Sequence, residues 1–202
     1  MTAHEPKGNN VMKSPNYLTQ KSTILAVAIA AVTLIHGNAD AAPSGTMGPE
    51  NPPASSAKVA PNAPFLMQGH QVRLATYHGQ PLMIWEVATW CGSCKAGLRA
   101  FVHHEALIDK SNLKIIVLRD YKNGGYPGIT IEKFAAQVAP ALLKDPHFVF
   151  GDATKELATA YNPHHYVDIY QLIDAQNQIV VTSSAPSVTF GKIEHFIASG
   201  SK

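Results

Sequence analysis

The chain has 202 residues, of which 46% are hydrophobic and 15% charged, with a formal net charge of +2. This composition supports the packed core of one domain plus extensions and excludes a wholly disordered chain. There is no long basic run and no basic stripe interleaved with aromatics, which argues against nucleic acid as a partner, while ten histidines make the surface charge sensitive to pH near 6.

Residues 23–35, TILAVAIAAVTLI, form an uncharged apolar run. Lys7, Lys13 and Lys21 precede it and Ala39-Asp40-Ala41 follows it, the three-part pattern of a secretory signal peptide over residues 1–41. The run is shorter than the roughly 20 residues that span a bilayer, so a cleaved signal is the favoured reading and an uncleaved N-terminal anchor the alternative. Either reading places the rest of the chain in the periplasm or another extracytoplasmic space, where disulfides persist. Residues 42–63, rich in Pro, Ala and Ser without apolar periodicity, read as a linker, and residues 64–202 as the folded domain.

Within that domain Gln71 to Ala75 alternates polar and apolar, as a half-buried strand does. Leu82 to Ala88 is a nearly continuous apolar run, the mark of a strand buried on both faces. A helix is expected from Cys91 to about Asp109, with Leu98, Phe101, Val102 and Ile108 on one stripe. Leu113 to Leu118 reads as a strand, and residues 121–128 as a Gly- and Pro-bearing loop. Thr130 is placed to cap a helix over residues 130–143, which Pro140 disturbs. Then come a short strand at His147 to Phe150, a helix at Asp152 to Tyr161 with Asp152 as its cap, strands at Tyr166 to Ile173 and Gln178 to Thr182, and a helix at Gly191 to Ala198. Strands alternating with helices define an α/β class, a central mixed sheet flanked by helices, with an antiparallel hairpin at one edge.

The chain has two cysteines, Cys91 and Cys94, separated by Gly92-Ser93. Stapled secreted domains carry more cysteines, more widely spread, and a four-residue ring constrains little of the unfolded chain. A thiolate attacks a disulfide, and a helix N-terminus favours the thiolate through its dipole and free N–H groups. Cys91 therefore reads as nucleophile and Cys94, one turn on, as resolving thiol. Lys95 adds a nearby positive charge, and Trp90 is placed to shield the pair and pack against a docked partner.

The block GHQVRLATYHGQPLMIWEVATWCGSCK resembles the start of TlpA/ResA-like periplasmic thioredoxins, and FVFGDATKELATAYN with YQLIDAQNQIV resembles their later half. The resemblance covers most of residues 64–182. It implies a thioredoxin-like fold and thiol–disulfide exchange with protein thiols or disulfides, cytochrome c precursors among them, fed by a membrane or periplasmic electron donor, with no cofactor. The Gly-Ser dipeptide leans towards a reductant. Three departures stand out. The proline that relatives carry facing the cysteines falls here at Val167 or Asp168; the nearest proline is Pro163. The acid that many thioredoxins have six residues before the first cysteine is Trp85, and Glu86, one position along, points to the opposite sheet face. The glutamate that ResA-like proteins carry shortly after the second cysteine is missing from Lys95-Ala96-Gly97.

The sequence carries two histidine pairs. His103-His104 reads as a solvated helix face, about 13 Å further along the helix than Cys94 and so too far to share a metal with it. His164-His165 lies in the loop leading to the strand that faces the cysteines. A Cys91, Cys94 and His165 set would suit copper, as in the Sco-like chaperones that this arrangement resembles, which gives a second reading. A third is a thioredoxin-fold binding module without catalysis. Glu86 reads either as a buried acid with a raised pKa or, preferably, as facing a polar layer.

Overall fold

A computed structural model describes residues 58–200. The expected signal segment and most of the expected linker lie outside the described residues. The last six residues assigned to the linker, 58–63, are packed against the domain. Lys58–Val59 forms strand β1, Ala60 and Ala63 are buried, and Ala75 N–H donates to Asn62 Oδ1 at 3.0 Å.

The strands are β2 (Pro64–Met67), β3 (His70–Arg73), β4 (Leu82–Val87), β5 (Lys114–Arg119), β6 (Phe148–Ala153), β7 (Ile169–Ile173) and β8 (Gln178–Ser184). They form one sheet in the order β1-β8-β7-β4-β5-β6-β2-β3. The centre, β4-β5-β6, is parallel, and β7, β8, β1, β2 and β3 pair antiparallel around it. The mixed sheet expected from the sequence is therefore present. Strand β2 was not anticipated. It makes a hairpin with β3 across Gln68-Gly69, both at positive φ, as a tight two-residue turn demands.

The helices are α1 (Gly92–His103), α2 (Glu105–Ile108), α3 (Ile131–Val138), α4 (Lys155–Tyr161) and α5 (Pro186–Ala198). The single helix expected from Cys91 to Asp109 breaks at His104, whose ring stacks on Phe190 at 3.9 Å and whose Nδ1 lies 3.5 Å from Glu194. His104 is thus tied to α5 rather than standing on a solvated face; His103 is exposed as expected. Thr130 caps α3 through Lys133 N–H, as expected. The cap of α4 is Thr154, not Asp152. Thr154 Oγ1 accepts from Leu157 N–H at 3.1 Å, while Asp152 is still in β6 and binds Arg119 at 2.7 Å. Helix α5 begins five residues before the expected Gly191, with Pro186 in the first turn, where a missing N–H costs nothing.

Alternation along β4 divides the core. Met83, Trp85 and Val87 face α1, α3 and α5 and pack with Leu98, Phe101 and Phe190. Leu82 and Ile84 face the other way, onto Leu157 and Tyr161 of α4. Each fully buried Leu, Ile or Phe contributes about 1.5–3 kcal/mol. These two layers fix β4, and with it the turn that carries the cysteines.

Candidate active site

β4 delivers the chain to a turn, residues 88–91, closed by Cys91 N–H donating to Ala88 O at 3.0 Å. Cys91 is the N-cap of α1, with extended backbone. Its Sγ accepts from Cys94 N–H at 3.3 Å and lies 3.1 Å from Ser93 Oγ. A serine or aspartate would ordinarily fill this capping position. With sulfur there, the Cys94 N–H, an orphan donor of the first turn, points at the reactive atom. Both cysteines are free thiols. Cys91 is 8% exposed and Cys94 fully buried, so only the first can meet a macromolecular partner. Burial pushes the Cys94 thiol up, helped by its contact with Cys91 and by the negative charge of Asp168.

Asp168, with Val167 one of the two positions where the sequence resemblance expects a proline, stands directly before β7. Its backbone is left-handed, at φ +69°. Its N–H donates to Glu86 O at 3.0 Å and its carbonyl accepts from Ala185 N–H at 2.8 Å, so main-chain bonds to two elements hold it there. The side chain turns inward, 3% exposed. Trp85 Nε1 donates to Asp168 Oδ1 at 2.9 Å. A carboxylate oxygen and the two sulfurs lie within 4.8 Å of one another. Burial raises the Asp168 carboxyl above the usual carboxylate range, against the opposing pull of Ser93, Trp85 and Cys94. A buried carboxyl thus reaches the cysteines from the residue just before β7, hydrogen-bonded to Trp85 of the neighbouring strand. Gly97 makes room for that tryptophan: a Cβ there would lie 2.6 Å from the Trp85 ring.

Trp90 is 45% exposed beside the cysteines. It meets Tyr126 edge-on at 5.2 Å and donates its N–H to Asn123 O at 2.8 Å. Asn123 is the residue that sequence reasoning missed. Its buried Oδ1 accepts from Thr89 N–H at 2.9 Å, and its Nδ2 donates to the carbonyls of Tyr126 and Pro127. The turn around it is left-handed at Lys122, Asn123, Gly124 and Gly125. Asn-Gly-Gly was the visible signal for such a turn. Val167 packs on the cysteine-side core and faces Gly124; Lys95 is half-buried on the first turn of α1.

Glu86 points to the other face, as expected, but into a buried acid pair rather than a polar layer. It lies beside Asp120, and neither Glu86 oxygen nor Asp120 Oδ2 has a hydrogen-bond partner among the described residues. Burial, reinforced by Asp120, pushes Glu86 up to about 8. His165, at φ +55°, lines a surface recess with Asp120, Tyr121 and Lys122. Among the described residues, the ligand-capable group at the cysteines is completed by Asp168 and does not include His165.

No family model matches the chain, and no curated protein matches it in sequence. Solved structures do match in fold. BsSco, described as a member of the Sco family of cytochrome c oxidase assembly proteins, superposes with TM-score 0.55 at 13% identity over 72% of this chain and 95% of its own. A proposed thiol:disulfide interchange protein DsbE from Chlorobium tepidum gives 0.51 at 16% identity, over 72% and 97%. A thioredoxin-like protein from Aeropyrum pernix gives 0.50 at 20% identity, over 68% and 89%. The fold is thioredoxin-like.

Proposed function

We propose that the chain is an extracytoplasmic thiol–disulfide oxidoreductase of the TlpA/ResA-like kind, acting on protein disulfides as a reductant. One observation carries the reading: the Cys91 sulfur caps α1 and receives the Cys94 N–H, with Cys94 buried directly behind it.

In the forward direction the Cys91 thiolate attacks a partner disulfide, and one partner sulfur leaves as thiolate. The resulting mixed disulfide is then attacked by Cys94. Its proton passes to the Asp168 carboxylate, the Cys91–Cys94 bond forms, and the second partner sulfur departs. Trp90, Tyr126 and Val167 form an apolar rim on which a partner chain rests. The apolar run at residues 23–35 supports export. The sequence resemblance favours cytochrome c precursors as partners and a membrane or periplasmic donor to re-reduce the pair. The Sco-like copper reading draws its support from the shared fold alone, since His165 does not join the cysteine group among the described residues.

The test is a pair of variants incubated with an oxidised protein substrate. Cys94→Ser is expected to accumulate a mixed disulfide, and Cys91→Ser to abolish exchange. Undiminished exchange by Cys91→Ser sinks the proposal.

A further inference from the structure

We propose that, in the reduced protein, Cys91, Cys94 and Asp168 form a binding site for a borderline divalent cation of the Zn²⁺ class. The three donor atoms come from two distant parts of the chain and lie within 4.8 Å of one another, all from buried residues. Tetrahedral zinc with bonds of 2.0–2.3 Å brings its ligands to about 3.3–3.8 Å apart, so closing on a cation asks for roughly 1 Å of movement. The second ligand-capable group among the described residues, Asp109, Asp145 and His147, lies at the surface and has no such enclosure.

The carboxylate is what separates this site from a bare dithiol. Trp85 holds Oδ1, while Oδ2 is buried with no hydrogen-bond partner among the described residues. An oxygen left unpaired in the interior costs about 1–3 kcal/mol. A carboxylate oriented through one oxygen by an outer hydrogen bond, with the other left free, is how metal sites hold an acid ligand.

Charge and softness select the cation. Two thiolates and a carboxylate carry a formal charge of −3 that a divalent ion offsets better than a monovalent one. Soft sulfur with hard oxygen suits Zn²⁺, whereas Cu(I) prefers an all-soft set. Three protein ligands leave one tetrahedral position open, as in zinc sites that exchange a ligand.

Disulfide formation removes two of the three ligands, so metal and oxidation exclude one another. When a partner disulfide oxidises the loaded site, two electrons pass to it. The Cys91–Cys94 bond forms, the partner's sulfur–sulfur bond breaks to two thiolates that take protons from water, and the cation is released. The site does not depend on the direction in which exchange runs.

The experiment uses the full chain, reduced and metal-free under argon, titrated with CoCl₂. One equivalent is expected to give thiolate-to-cobalt absorption in the near ultraviolet and tetrahedral bands in the visible, both discharged by one equivalent of ZnCl₂. Asp168→Asn, which keeps an oxygen for Trp85, is expected to weaken binding by more than the roughly 10–100-fold that loss of a supporting contact costs. Cys91→Ser is expected to lose the signal, and His165→Ala to retain it. The disulfide form of the wild type is the folded control and is expected not to bind. Absence of one-equivalent binding by the reduced wild type overturns the site, as does wild-type affinity in Asp168→Asn. Disulfide exchange is measured in parallel with EDTA present. Exchange without binding removes this site alone, and binding without exchange removes the oxidoreductase reading alone.

Discussion

The indole N–H of Trp85 donates to Asp168 Oδ1 at 2.9 Å, joining residues 83 apart in sequence beneath the two cysteines. The bond crosses from β4 to the residue just before β7, the strands that pair directly in the sheet centre. It fixes the carboxylate within reach of Cys94.

Replacing Asp168 by Asn keeps that bond and removes the proton acceptor. The second step of exchange should slow by about 100-fold or more, the scale of a positioned general base. The first attack by Cys91 should change far less. Quenched-flow trapping in EDTA would show a mixed disulfide that persists in the variant; an unchanged lifetime would exclude Asp168 from the transfer.

Gly97→Ala places a methyl group 2.6 Å from the Trp85 ring, in a region with no slack. Overpacking of this kind costs about 1–3 kcal/mol. Gly92→Ala, on the same helix, meets open space and should leave stability near that of the wild type. Urea midpoints of the two variants, compared at equal m-value, separate the close contact from helix propensity.

Glu86 should make the protein less stable as pH rises. Its folded pKa is raised from 4.5 to about 8 by burial and by Asp120, so the favourable contribution is complete below about pH 4.5 and is lost towards pH 8. Between those limits the unfolded chain releases a proton that the folded chain keeps. The slope approaches 1.4 kcal/mol per pH unit. Glu86→Gln should flatten it, raising the melting temperature at pH 8 more than at pH 5. Parallel curves for variant and wild type would contradict this.

Asn123→Ala strips partners from Thr89 N–H and from two loop carbonyls in a buried turn. A loss of about 1–3 kcal/mol is expected. Of the two tryptophans Trp85 is buried and Trp90 half-exposed, so iodide quenching reports on Trp90. Quenching should rise in the variant as the turn loosens.

The central strands, α1 and the cysteine pair were legible because each rests on a local pattern. Leu82 to Ala88 has to be buried, and Cys91 stands where a strand gives way to an apolar stripe of helical period. What escaped was set by partners far along the chain. Strand β2 is short and starts at a proline, and only the Gln68-Gly69 turn betrays it. The start of α5 was hidden because Pro186 and Thr189 look like breakers, whereas the proline occupies a first turn and Thr189 Oγ1 donates back to Ser184 O. His104 looked solvated because its partner, Phe190, is 86 residues away. Asp168 stands out in the sequence, with Val167, as the place of a missing proline. Its inward turn depends on a left-handed backbone and on an indole from another strand, neither of which a linear pattern encodes.

The left-handed turn at residues 122–125 ties Trp90 and Val167, on two sides of the apolar rim, to one another. Gly124 lies so close to Val167 and to the Trp90 ring that a Cβ there would stand 3.0 and 3.3 Å from them, and Asn123 O holds the Trp90 N–H. Neither side of the rim can be reshaped alone. A change of partner preference, whether reached by evolution or by grafting, would have to move residues 88–90, 121–128 and 166–168 together, as one exchangeable cassette.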